Sequence, residues 1–180
     1  SSFGSSMADL GDLDGDGAND LAIGWGAYSD DEYYAGGAVV FLGPILSSRD
    51  ASDHDGVVQG EDYGQFLGSL PDTLAAAGDV DGDGTPDVLV SAPDWGDGGY
   101  NHGVVYLISG AEFLAGTKAL YAEAKITDGS DQDRMGSAVH GPGDLDGDGK
   151  SEVLVGKRGD STYADQGGAA GLFYGPVHGN

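Results

Sequence analysis

The sequence predicts an all-β protein made of three β-propeller blades, and three observations carry that prediction. One acidic ten-residue segment is written three times, as Gly11-Asp12-Leu13-Asp14-Gly15-Asp16-Gly17-Ala18-Asn19-Asp20, as Gly78-Asp79-Val80-Asp81-Gly82-Asp83-Gly84-Thr85-Pro86-Asp87, and as Gly143-Asp144-Leu145-Asp146-Gly147-Asp148-Gly149-Lys150-Ser151-Glu152. The copies are evenly spaced, 67 residues from Asp12 to Asp79 and 65 from Asp79 to Asp144, and self-similarity at a fixed period marks a repeat architecture. Short apolar runs bounded by glycine surround each copy. Four antiparallel strands in roughly 65 residues is the footprint of a propeller blade.

Each unit opens on an apolar-Gly-Ser lead-in to its first strand: Phe3-Gly4-Ser5, Leu67-Gly68-Ser69 and Met135-Gly136-Ser137. The acidic loop follows, and then a second strand at Leu21-Ala22-Ile23, Val88-Leu89-Val90 and Val153-Leu154-Val155. Glycine-bounded runs over 37–43, 103–110 and 168–175 supply the third strands, and Gly56-Val57-Val58-Gln59-Gly60 and Ala124-Lys125-Ile126-Thr127 the outer ones. One helical turn fits Ala111-Glu112-Phe113-Leu114. The middle copy has three extra residues between its Gly-Ser and its loop, a stretch that includes Leu74 to Ala76, which predicts a local bulge there. The blades are placed over residues 1–60, 61–127 and 128–180, the last without its outer strand. The chain opens at Ser1 with no initiator methionine and reads as an excised or mature piece. Three blades form an open arc with unpaired edges, so the expectation is a larger propeller, or one completed by a second copy or another chain.

Carboxylates stand at positions 1, 3, 5 and 9 of each loop and glycines at 4 and 6. Charges this close repel by about 1 kcal/mol per pair at ~4 Å in water, and by more where solvent is thinned. A hard cation relieves that repulsion, and an all-oxygen donor set in a flexible loop suits calcium better than magnesium with its stricter octahedron. An EF-hand would need a bidentate Glu at position 12, where this chain has Ile23, Val90 and Val155 inside strands. The ligand set therefore closes at position 9, within a strand–loop–strand turn. It comprises Asp12, Asp14, Asp16 and Asp20 with the Ala18 carbonyl; Asp79, Asp81, Asp83 and Asp87 with that of Thr85; and Asp144, Asp146, Asp148 and Glu152 with that of Lys150. Three structural Ca²⁺ sites are expected, one per blade.

Of the 31 acidic residues 12 lie in these loops, and the formal net charge is −24. A surface this acidic argues against nucleic acid or an anionic membrane as partner. There is no cysteine, and no apolar run of transmembrane length. Calcium loops of ordinary affinity fill best outside the cytosol, which points to an extracellular or cell-surface setting.

The order apolar-Gly-Ser, Asp-x-Asp-Gly-Asp-Gly-x-x-Asp, apolar strand, then Ser91-Ala92-Pro93 resembles the FG-GAP repeat of integrin α-subunit propellers and their bacterial relatives. The resemblance covers essentially the whole chain, with the acidic loop as its specific part. Phe-Gly is literal at Phe3-Gly4 alone, and the Gly-Ala-Pro position reads Gly24-Trp25-Gly26, Ser91-Ala92-Pro93 and Gly156-Lys157-Arg158. It implies the same calcium ligands and a non-enzymatic module for adhesion or protein interaction. Glu152, one methylene longer than the family's usual Asp, predicts a shifted geometry at the third site. The competing reading is the propeller of a secreted carbohydrate-binding protein or hydrolase.

The remaining candidates have blander explanations. His54, His102, His140 and His178 sit at unrelated points of the repeat, without metal-binding spacing. No Gly-x-Ser-x-Gly orders a catalytic triad. Asp30, Asp31 and Glu32 would offer an acid–base pair, but a solvated loop with Tyr33 and Tyr34 accounts for them. Arg158-Gly159-Asp160 spells a tripeptide that integrins recognise, in a chain where Gly-Asp recurs constantly. Trp25, Trp95, Tyr28, Tyr33, Tyr34 and Tyr100 are read as packing between blades, with a binding face as the competing role.

Overall fold

Runs of Val, Leu and Ile between glycine-rich turns assemble into three antiparallel sheets in a computed structural model, which describes residues 3–28, 34–96, 101–127, 132–161 and 167–177. In the first blade β1 (Phe3–Gly11), β2 (Asp20–Trp25), β3 (Gly37–Phe41) and β4 (Gly56–Gln59) pair in sequence order. The second blade is β5 (Leu74–Gly78), β6 (Asp87–Ala92) and β7 (Val104–Ser109), then a short helix α1 (Gly110–Ala115) where one helical turn was expected. Two residues after α1 form β8 (Thr117–Lys118), which leaves its own blade and runs parallel to β4; β9 (Ala124–Ile126) then closes the second sheet. The third blade is β10 (Met135–Gly143), β11 (Glu152–Lys157) and β12 (Ala169–Phe173), three strands among the described residues. No helix among the described residues is long and apolar enough to cross a membrane.

The middle blade shows why its strands are unbroken apolar runs. All six residues of β6 and all six of β7 are buried. Val88, Val90, Tyr106 and Ile108 face a core shared with Leu10, Val40 and Val58 of the first blade. Leu89, Val105 and Leu107 face a core shared with Val139, Val153 and Val155 of the third. A sheet covered on both faces needs hydrophobes at every position, not at alternate ones. Each such side chain contributes about 1.5–3 kcal/mol on burial.

The lead-in residues latch one blade to the next. Leu67 N donates to Ala35 O and Met135 N to His102 O, each at 2.9 Å, beside the parallel bridges Gly36–Leu67 and Gly103–Met135. The glycines after Leu67 and Met135 lie against the neighbouring blade. A Cβ on Gly136 would stand 2.7 Å from Ser91 Cβ, and Ser91 Oγ instead donates to Gly136 O at 2.8 Å. At the equivalent first junction Ser6 Oγ donates to Gly68 O at 2.9 Å.

One local expectation is corrected. Leu74, Ala75 and Ala76 are in regular register with Val90, Leu89 and Val88 and form no bulge. The three extra residues are absorbed just upstream in a turn over 69–73, closed by Thr73 Oγ1 donating to Leu70 O at 2.5 Å. The register does shift at the end of the first strand in every blade, between Asp9 and Gly11, Ala76 and Gly78, and His140 and Gly143. The glycine there has positive φ (69°, 76° and 84°), and the shift turns the chain out of the sheet and into the acidic loop.

Candidate metal centres

Each acidic loop folds on its own carboxylates. The position-1 aspartate accepts the N–H groups of both loop glycines, Gly15 and Gly17 on Asp12 at 2.8 and 3.0 Å, Gly82 and Gly84 on Asp79 at 2.6 and 2.9 Å, and Gly147 and Gly149 on Asp144 at 2.7 and 2.9 Å. Position 3 accepts from position 5, as at Asp16 N to Asp14 (3.1 Å), and position 5 from position 7, as at Ala18 N to Asp16 (2.8 Å). The same bonds recur for Asp81 and Asp83, with Thr85 as the last donor, and for Asp146 and Asp148, with Lys150. The curl needs left-handed glycines, and the six loop glycines have φ between 81° and 93°.

The position-9 carboxylate is the buried one. Asp20 and Asp87 are 1% exposed and Glu152 is fully buried. It accepts the N–H of position 2: Leu13 to Asp20 at 2.7 Å, Val80 to Asp87 at 2.9 Å, and Leu145 to Glu152. Asp20 also accepts from Gly43 N at 2.8 Å, tying the first loop to the end of β3.

The sequence-derived ligands converge to different extents. In the first loop Asp12, Asp14 and Asp20 bring carboxylate oxygens within 4.8 Å of one another, and in the second Asp79, Asp81 and Asp87 do so. Asp16 and Asp83 lie outside these groups. In the third loop all four converge, Asp144, Asp146, Asp148 and Glu152. The third cluster gains its extra member at position 5, Asp148, while position 9 converges in all three loops. Glu152 Oε2 holds Leu145 N as Asp20 and Asp87 hold the N–H groups of Leu13 and Val80, and the buried Oε1 has no hydrogen-bond partner. No histidine belongs to any of these groups among the described residues.

Charge is concentrated enough to be felt. Burial, opposed by the Val80 N–H and reinforced by the charges of Asp81, Asp83 and Asp79, pushes the Asp87 carboxyl up to about 7. Glu123, just before β9, also rises to about 7, through burial first and then the charges of Asp87 and Asp81. Its Oε2 is buried without a partner, as is that of Glu112 in α1. Sequence reasoning missed Glu123 because it stands 36 residues beyond Asp87, on the far side of two strands, with no motif around it. All-carboxylate clusters, the third with a buried, unsatisfied oxygen on Glu152, fit a hard divalent cation.

The other candidates are structural. Arg158 pairs with Asp94 at 3.8 Å, Gly159 N donates to Asp133 O at 3.0 Å, and a Cβ on Gly159 would sit 1.9 Å from Gln132 O. Asp160 is 6% exposed, so the tripeptide is built into a packed turn with its carboxylate inside. Trp25 packs edge-on between Phe3 and Tyr28, each 5.3 Å away. Trp95 donates to Asp62 at 3.2 Å and lies under Lys125 Nζ, and Tyr34 stacks on Phe66. Packing thus engages the described aromatics. Asp30, Asp31, Glu32, Tyr33, Tyr100 and His178 lie outside the described residues.

Residues 72–108, which hold the second loop, match the FG-GAP repeat family. The chain is 33% identical to integrin alpha-PS2 of Drosophila melanogaster over 81% of its length, and 33% identical to integrin alpha-D of Homo sapiens over 87%. It is 31% identical to integrin alpha pat-2 of Caenorhabditis briggsae over 82%. It spans 10–13% of the length of these relatives. Residues 72–108 are thus an FG-GAP repeat, the same loop-and-hairpin unit recurs in the two flanking sheets, and the chain is integrin α-like over more than four-fifths of its residues.

Proposed function

We propose that the three loops hold three calcium ions as structural pins of a non-catalytic, extracellular module for adhesion or protein interaction. The ligands are Asp12, Asp14, Asp16, Asp20 and the Ala18 carbonyl; Asp79, Asp81, Asp83, Asp87 and the Thr85 carbonyl; and Asp144, Asp146, Asp148, Glu152 and the Lys150 carbonyl. The observation that carries this reading is Glu152, whose buried, unpartnered oxygen stands among three converging aspartates. A buried carboxylate oxygen without a partner is expensive, and a cation there would satisfy it. When bound, the ion neutralises the carboxylates and lets the position-9 residue remain charged while it holds the position-2 N–H.

The module would act by presenting a propeller face to a protein partner, as the similarity to integrin α chains suggests, with further blades from the parent protein, a second copy or another chain extending the arc. Calorimetric titration tests the core of the proposal. Three calcium equivalents are expected, falling to two in Asp14→Ala and in Asp81→Ala; an unchanged stoichiometry in both variants would remove these residues from the sites.

A further inference from the structure

The third loop grips the second, and the second has no means of gripping the first in the same way. Ser151 N donates to Asp79 O at 2.7 Å, and Lys150 Nζ donates to Asp81 O at 2.5 Å. Positions 7 and 8 of loop three thus hold the carbonyls of positions 1 and 3 of loop two. The lysine stem lies across Gly82, where a Cβ would stand 3.0 Å from Lys150 Cε. In loop two the same positions are Thr85 and Pro86. Proline has no N–H to donate, and threonine lacks the reach of lysine. A second asymmetry is the ligand set itself, since loop three alone gathers four carboxylates, one of them fully buried with an unpartnered oxygen.

Resting on the calcium reading above, we infer that loops two and three take up calcium as a coupled pair, loop three first, while loop one loads independently. Ordering loop three around a cation fixes Lys150 and Ser151. Their donors then hold the backbone of Asp79 and Asp81 in the curl that the loop-two carboxylates require. The ordering cost of the second site is met in advance, which is positive coupling without any large movement. Linkage makes it reciprocal.

Loop glycines report each site separately in the 180-residue chain, because Gly17, Gly84 and Gly149 all occupy position 6. Calcium titration followed at their ¹⁵N amide signals should give the lowest midpoint at Gly149. In Asp146→Ala, which removes a loop-three carboxylate, the Gly84 midpoint should rise at least about fivefold, the lower end of ordinary coupling between sites, with Gly17 unmoved. A Lys150→Met/Ser151→Pro double variant keeps every carboxylate and gives loop three the proline that loop two already accommodates. It should shift Gly84 similarly, again sparing Gly17, whose signal also confirms the fold. A Gly84 midpoint unchanged in both variants overturns the coupling while leaving the cation sites standing, and a Gly149 midpoint above that of Gly84 overturns the order. Absence of any calcium-dependent shift at the three glycines would instead overturn the cation reading itself.

Discussion

Leu13, Val80 and Leu145 occupy the same place in their loops, between the first two aspartates, yet their surroundings differ. Leu13 is 3% exposed, in the core shared by the first two blades, where a Cβ on Gly110 would stand 2.7 Å from its Cδ1. Val80 is fully buried in the core of the second and third. Leu145 is 58% exposed, with no further sheet beside it among the described residues. The lesson is that each loop is a carboxylate cluster and a plug at once. The N–H of the plug residue bonds the position-9 carboxylate in all three copies, so whatever holds that carboxylate also aims the plug at the next blade.

The largest expected effect comes from removing the ions. A site filled at about 100 times its Kd stabilises the fold by about 2.7 kcal/mol, so three sites approach 8 kcal/mol against a typical net stability of roughly 5–15 kcal/mol. A chelator should lower the melting temperature steeply, and an unchanged melt would remove the structural role. The plug comparison is sharpened by Leu13→Ala, which should cost about 2–5 kcal/mol as a large-to-small change in a packed core. Leu145→Ala should stay within about 0.5 kcal/mol, and equal losses in denaturant titrations would refute the plug. Removing the fourth carboxylate with Asp148→Ala should weaken calcium at loop three about tenfold, or 1.4 kcal/mol; an unchanged affinity would show that the fourth carboxylate adds nothing.

The smallest effect lies away from the loops. The Arg49 guanidinium, bonded to Asp55 at 2.7 Å, holds that carboxyl below its ordinary value, assisted by Leu42 N–H and opposed by partial burial. A depressed folded-state value means stabilisation present above the ordinary carboxylate range and lost as pH falls through the folded value. Asp55→Asn should therefore flatten the acid limb of the stability curve without shifting the neutral plateau by more than a surface pair is worth.

Much of this was legible because it is local. The loop carboxylates sit within nine residues and bond to one another's N–H groups, so spacing alone places them in one loop. Strand order within each blade follows from short connections. What stayed hidden is contributed across blades. Nothing near Glu123 shows that it faces Asp81, and nothing in loop three shows that Lys150 reaches Asp81 O. Thr117 and Lys118 carry too little pattern to reveal that they join the preceding sheet. Glu152 is the instructive case: its side-chain length marks the third site as different, whereas the member that distinguishes the third cluster is Asp148, whose position-5 counterparts Asp16 and Asp83 lie outside theirs.

The most direct test of the account is a crystal structure grown with ample calcium and phased to show the anomalous signal of the ion. The account predicts one peak in each of the three loops, ringed by the carboxylates of positions 1, 3, 5 and 9 and, in the third loop, with Glu152 Oε1 turned onto it. Loops without peaks, their aspartates spread into solvent while the blades keep their packing, would contradict it.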